Sequence, residues 1–142
     1  MYKNSIITSF RFYIINMNNF TFSLLSTYTY KSQRSSFISY LYQISTDEDI
    51  NTIYQQLKQE HSKSNHICYA AIVEFNTYIK HDSEVGSPGN VLYNIIYHNN
   101  LHSHILVTVR YFGGIKLGVG GVIKAFKQSG VECINQYKLN KD

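Results

Sequence analysis

Apolar and polar positions along the chain follow two periods, an alternation of two in some stretches and a three-to-four spacing in others, which separates strands from helices. Residues 10–15 alternate weakly, with Phe10, Phe12 and Ile14 set against Arg11, Tyr13 and Ile15. Residues 20–30 predict a second strand with Phe20, Phe22 and Leu24 on one face. After a polar break at 31–35, residues 36–44 give a clearer strand. Phe37, Ser39, Leu41 and Gln43 fall on one face and Ile38, Tyr40, Tyr42 and Ile44 on the other. Ile50, Ile53, Tyr54 and Leu57 then recur at helical spacing, to about residue 62. Ser45-Thr46-Asp47-Glu48 precedes them in the form of a capping box, with Ser45 at the N-cap and Glu48 three residues on. The acidic trio Asp47, Glu48 and Asp49 suits a helix start, so capping is preferred to catalysis for it.

Residues 67–79 have the β-branched and aromatic density of strands. The loop 80–89 holds Asp82, Glu84 and the sole proline, Pro88. A short helix over 91–97, a turn at 99–102, a strand over 105–111 and a final helix over 122–137 complete the chain. Ile123, Phe126, Gly130, Cys133 and Tyr137 mark the inner side of that last helix. Strands alternating with helices argue for helices stacked on one face of a sheet, or on both. With the extra N-terminal strands, the prediction is an α+β two-layer sandwich. Residues 1–34 read as N-terminal strands or an extension, and residues 35–142 as one core domain.

The densest chemical signal lies between the last strand and the last helix. Five of the nine residues from Gly113 to Gly121 are glycine, and Arg110, Lys116, Lys124 and Lys127 surround them. Glycine admits positive φ and close approach of a ligand or chain, and a helix start offers free N–H groups to an anion. At least one of these glycines is therefore expected at φ > 0. The segment is not a phosphate-hydrolysis loop, because Val119 and Gly120 stand where lysine and serine or threonine are needed. Nor is it a dinucleotide fingerprint, since Ile123 occupies the third glycine position. A turn that only packs a helix against a sheet is the plainer alternative.

Composition narrows the rest. The 142 residues are 44% hydrophobic, enough for a core, and carry a formal charge of +4, which permits weak attraction to nucleic acid. Cys68 and Cys133 are far apart, with no paired spacing for a metal or a disulfide framework. Reduced thiols in a cytoplasmic protein are expected, with no metal and no cofactor. Residues 6–25 are apolar in part, but Arg11, Asn16, Asn18 and Asn19 interrupt them, so no membrane span is expected.

Arg110 to Gly121 reads R-Y-F-G-G-I-K-L-G-V-G-G, which resembles the signature of the IMPACT family, whose bacterial members are called YigZ-like. Ser36-Phe37-Ile38 resembles that family's opening strand. Asn65-His66-Ile67-Cys68-Tyr69-Ala70 is similar to its A-T-H-x-C-Y-A segment, with Asn65 in place of threonine. His81-Asp82-Ser83-Glu84 resembles D-D-G-E, with His81 for the first aspartate and Ser83 for glycine. The likeness runs from about residue 35 to residue 137. It implies the fold of the second domain of ribosomal small-subunit protein five, with a left-handed β-α-β crossover. It also implies translation regulation through RNA, the ribosome or a translation-control protein. Eukaryotic relatives add an N-terminal RWD domain and bacterial ones a C-terminal ferredoxin-like domain. This chain resembles the core domain alone.

Two functional readings follow. In the first, Arg110, Gly113, Gly114, Lys116, Gly118, Gly120, Gly121 and Lys124 form an anion or RNA site of a non-catalytic binding module. In the second, His66, Asp82 and Glu84 converge for the acid–base work of a hydrolase-like enzyme. Against the second stands the ordinary reading of Asp82 and Glu84 as a solvated loop and of His66 as a hydrogen-bonded strand start.

Overall fold

A computed structural model describes residues 22–141. In chain order the elements are β1 (Ser23–Ser32), β2 (Ser35–Gln43), α1 (Asp47–Glu60), β3 (His66–Val73), β4 (Asn76–Lys80), α2 (Pro88–His98), β5 (His104–Tyr111) and α3 (Gly118–Asn140). The strand expected over residues 10–15 lies outside the described residues. The strands form one sheet in the order β1-β2-β5-β3-β4, antiparallel at every pairing. The β-rich stretch after residue 66 resolves into a hairpin that turns at Glu74, whose φ is +57°.

The alternation in β2, β3 and β5 sorts their side chains to two covered faces. Phe37, Leu41, Cys68, Ala70 and Leu106 pack under α2 and α3, against Leu92, Ile96, Phe126 and Cys133. Ile67, Ala71, Val107 and Val109 face the other way, toward Ile50, Ile53 and Leu57 of α1. The fold is thus α+β, and among the described residues α1 is the one helix on its face. Full burial of each such leucine, isoleucine or phenylalanine contributes about 1.5–3 kcal/mol. Three hydroxyls inside the first face are paired. Ser39 Oγ lies 2.7 Å from Thr108 Oγ1 and 2.6 Å from Ser129 Oγ, which itself donates to the Phe37 carbonyl at 2.9 Å. Gly130 lets α3 come close, since a Cβ there would stand 2.8 Å from Ile95 Cδ1.

Topology settles the crossover hand. Strands β2 and β3 are parallel to each other, both being antiparallel to β5 between them, and α1 connects them on one face. Strands β4 and β5 are likewise parallel across β3, and α2 connects them on the opposite face. The second unit runs down and leftward where the first runs up and rightward. Turning it half a circle in the sheet plane makes the two directions coincide while their helices stay on opposite faces. The two units therefore have opposite hands, and one is left-handed, against the usual preference. This agrees with the crossover that the resemblance implied.

Two local expectations are corrected. The N-cap of α1 is Thr46, not Ser45, with φ −134°, and Asp49 rather than Glu48 closes the capping box. The Asp49 carboxylate accepts from the N–H groups of Ser45 at 2.8 Å and Thr46 at 3.1 Å. The last helix begins at Gly118, not near residue 122, so three of the turn's glycines belong to its first turn.

Candidate functional site

Antiparallel register sets the site. Arg110, near the end of β5, stands opposite Phe37 of β2 and opposite His66 of β3. The guanidinium carbon lies 5.5 Å from the Phe37 ring centre and 5.8 Å from that of Phe112. Its Nη1 donates to Glu84 Oε2 at 2.6 Å, with the two side chains 9% and 3% exposed. Arg110 is therefore not a free cation; Glu84 neutralises it.

The loop between β4 and α2 delivers Glu84. Asp82 and Ser83 take left-handed conformations, φ +55° and +59°. Ser83 stands where the resembled motif has glycine, the residue that reaches this region without strain. Asp82 Oδ2 accepts from the Ile67 N–H at 2.7 Å, and His66 Nδ1–H donates to the Asp82 carbonyl at 2.9 Å. His66 Nε2 then lies 3.7 Å from Glu84 Oε1, and Nδ1 lies 3.8 Å from Asp82 Oδ2. Glu84 Oε1 also accepts from the Val85 N–H at 2.9 Å. His81 Nδ1, in the place of the motif's first aspartate, accepts from the Gly89 N–H at 3.0 Å. The three residues of the hydrolase-like reading do come together, but each is engaged: His66 and Asp82 hold the loop to β3, and Glu84 accepts from Arg110 of β5 and from the Val85 N–H.

The neighbouring thiol, Cys68, is not an activated nucleophile. Cys68 Sγ donates to the His81 carbonyl at 3.0 Å. Burial, then the charges of Asp82 and Glu84, push its thiol far above the usual range, so it stays protonated. Among the described residues no group of three or more His, Cys, Asp or Glu could hold a metal ion.

The glycine-rich segment divides in two. Its beginning is anchored: the Phe112 N–H donates to Asn65 Oδ1 at 2.7 Å and the Gly113 N–H to Ser35 Oγ at 3.1 Å. A Cβ at Gly113 would overlap the Arg34 carbonyl. Beyond it the backbone is open. Gly114 and Gly118 have φ of +92° and +76°, as expected of at least one glycine here. Cβ atoms at Gly114, Gly118 or Gly120 would meet nothing within 4 Å, whereas Gly121 packs on Leu117. Lys116, Lys124 and Lys127 are exposed. So are Phe112, Ile115, Val119 and, from the neighbouring loop, Val85. Counting charges in the sequence missed this apolar surface, although three large apolar residues interspersed among glycines in a turn were a readable sign of it. A pocket of about 290 Å³ lies here, with Arg110 and Glu84 among its lining residues and Lys116 and Val119 of the turn beside them.

The geometry is that of an antiparallel α+β domain in which an acid, histidine and arginine cluster sits beside an open glycine turn. The chain belongs to the IMPACT family: the model for the Impact N-terminal domain matches residues 33–134. It is 33% identical over 107 residues to IMPACT family member YvyE of Bacillus subtilis, covering 72% of this chain and 49% of that protein. An IMPACT family member of Haemophilus influenzae is 32% identical over 100 residues, covering 66% of this chain and 48% of that protein. The chain thus spans about half the length of the curated relatives it matches. Among solved structures, the crystal structure of a hypothetical protein superposes with TM-score 0.75 at 24% identity, over 82% of this chain and 61% of that one. The two-domain translational regulator Yih1 superposes with TM-score 0.50 at 19% identity, over 82% and 47%. These two likenesses speak to the fold.

Proposed function

We propose that this chain is a non-catalytic binding module in the control of translation, acting in the cytoplasm on the ribosome or a ribosome-associated factor through the open half of its glycine turn. Membership of the IMPACT family supports the process, as does a fold shared with a protein described as a translational regulator. The carrying observation is the contrast within the site. The reactive groups are engaged internally, while Gly114, Gly118 and Gly120 present backbone with no atom within 4 Å of a Cβ position. A partner's backbone can approach such a surface closely.

The exposed Lys116 and Lys124 favour a contact with ribosomal RNA phosphates as well. The test is sedimentation of the purified chain with ribosomes, with and without ribonuclease, beside its effect on a cell-free translation extract. Wild type is expected to sediment with ribosomes and to change the translation rate. Lys116→Glu with Lys124→Glu should weaken both and flatten the salt dependence of RNA binding by about two units, one per phosphate contact. Failure of the wild type to sediment at low salt and to alter translation would overturn the proposal. Hydrolysis of a phosphoester or acyl substrate, lost on His66→Ala in a folded protein, would establish the hydrolase-like reading instead.

A further inference from the structure

At the end of the sheet where β5 runs into the glycine turn, we propose a binding surface for single-stranded RNA, with one base stacked on Phe112 and the flanking phosphates held by Arg34 and Lys63. This deepens the binding-module reading, on which it rests, by giving the RNA contact a place and a preference for unpaired bases. Phe112 is a large apolar ring left 44% exposed. Its backbone is fixed, because its N–H donates to Asn65 Oδ1 at 2.7 Å, and its ring centre lies 5.8 Å from the guanidinium carbon of the buried Arg110. Every nucleic-acid base has a π-face, so a fixed, exposed ring receives a base whatever its identity.

Cations distant in sequence are brought to both sides of that ring. On one side is the turn between β1 and β2. The Arg34 backbone lies against Gly113, where a Cβ would overlap it, and the Gly113 N–H bonds Ser35 Oγ at 3.1 Å. Lys31 of the same hairpin is in register with Ser36, which is in register with Tyr111. On the other side is the link between α1 and β3, where Lys63 stands two residues before Asn65, the residue that holds Phe112. The glycine turn itself adds Lys116. Lys31, Arg34, Lys63 and Lys116 are all exposed. Because β2 and β3 flank β5, the two sides are about 10 Å apart, two strand spacings, a gap that two nucleotides bridge. Of the carboxylates at this end, Glu84 is paired with Arg110, Asp82 accepts from the Ile67 N–H, and Glu60 closes α1. Asp82 and Glu60 therefore stand against four cations. The exposed Asp47, Glu48 and Glu74 lie at the opposite end of the sheet, past the end of β2 and in the turn after β3. An acidic peptide would meet the cations and leave the ring idle, and a duplex keeps its bases stacked inside. Single-stranded RNA engages both.

The probes are hexauridylate, the same hexamer without bases, and hexaglutamate, titrated at low salt into the full chain labelled for amide and aromatic NMR. Hexauridylate is expected to shift the Phe112 ring signals and the amides of Arg34, Asn65 and Gly113, with a dissociation constant of about 100 μM or tighter. The abasic hexamer should bind about fivefold more weakly or worse, the factor a single stacked base contributes, and hexaglutamate should fall behind by at least as much. Arg34→Glu with Lys63→Glu should weaken hexauridylate binding at least about tenfold and flatten its salt slope by about 1.4 units, 0.7 per phosphate contact, with the melting temperature unchanged. Lys138→Glu, twenty residues along α3 from Gly118 and so about 30 Å away, should change neither. The base comparison needs no variant, so it decides the matter even if the double variant folds poorly. Equal binding of hexauridylate and the abasic hexamer overturns the proposal. So do equal binding of hexaglutamate, shifts confined to another surface, a loss in Lys138→Glu as large as in the double variant, or no shift up to about 2 mM. Any of these in a chain that still sediments with ribosomes overturns this proposal alone. A wild type that neither sediments nor alters translation overturns the function proposed above, whatever the oligonucleotides do.

Discussion

Removing the Glu84 charge is expected to destabilise the fold more than the removal of any exposed charge on the turn. The Glu84 side chain is 3% exposed and that of Arg110 is 9% exposed, at 2.6 Å. Glu84→Gln keeps the shape and leaves the guanidinium charged between Phe37 and Phe112, because arginine does not release its proton in a protein. Breaking a buried pair by deleting one partner costs about 3–5 kcal/mol, most of it the desolvation of the stranded charge. In a domain of this size that is a fall in melting temperature of roughly 10 °C or more. Arg110→Met should cost a similar amount. The double variant, Glu84→Leu with Arg110→Met, removes both charges and should recover much of the loss, so the coupling energy is about 3 kcal/mol. Urea unfolding of the four proteins measures every corner of this cycle. A Glu84→Gln protein within about 0.5 kcal/mol of wild type, or single losses that simply add, would show that the pair is solvated and that Glu84 is available for chemistry.

Gly113→Ala should prevent folding or destabilise by several kcal/mol, since its Cβ overlaps the Arg34 backbone, which has no flexible end to move; a melting curve like that of wild type would show the close approach to be wrong. Asp49→Ala should cost about 1 kcal/mol or more in urea unfolding through the lost acceptor for the Ser45 and Thr46 N–H groups, and an unchanged midpoint would count against the cap. Burial holds the pKa of His61 below its ordinary 6.5. The unfolded chain then binds more protons than the folded one, so His61 contributes stability that is full above that value and is lost as pH falls toward the folded pKa. Burial also lowers the His104 pKa, which adds to the same trend. Melting temperatures across pH 5 to 8, about the window these shifts define, should fall on the acid side, less steeply in His61→Gln; identical profiles would remove His61 from the cause.

The two-sided apolar pattern of residues 36–44 and the apolar run of β5 were legible because a strand covered on both faces has almost no polar residues to confuse its period. The N-cap was ambiguous by one position for a definite reason. Ser45 with Glu48 and Thr46 with Asp49 both satisfy the capping-box spacing, and only the chain's path out of β2 chooses between them. Glycine's poor helix propensity hid the first turn of α3, which tertiary packing of Val122, Ala125 and Phe126 stabilises regardless. The pairing of Arg110 with a loop carboxylate was foreseeable from two carboxylates in one loop. Which carboxylate was not, because the choice depends on the His66–Arg110 register and on the left-handed turn at Asp82 and Ser83.

Consecutive residues of the motif are fastened in different directions. Arg110 reaches to Glu84 on the face that α2 and α3 cover. Tyr111, one position on, points to the other face, where its hydroxyl lies 2.7 Å from His61 Nδ1 and the same ring reaches the Tyr40 hydroxyl through Nε2, also at 2.7 Å. Phe112 is held by Asn65 and Gly113 by Ser35 and the Arg34 backbone. Four successive residues therefore tie the end of β5 to the loop before α2, to the end of α1, to the start of β3 and to the turn before β2. Beyond them, Cβ positions at Gly114, Gly118 and Gly120 meet nothing within 4 Å. A turn anchored on four sides at its base loses little freedom when a partner lands on its tip, which is what preorganisation requires. The division also separates two kinds of experiment. Substitutions from Arg110 to Gly113 report on stability, and those at Lys116, Val119 and Gly120 report on binding, because these three residues are exposed.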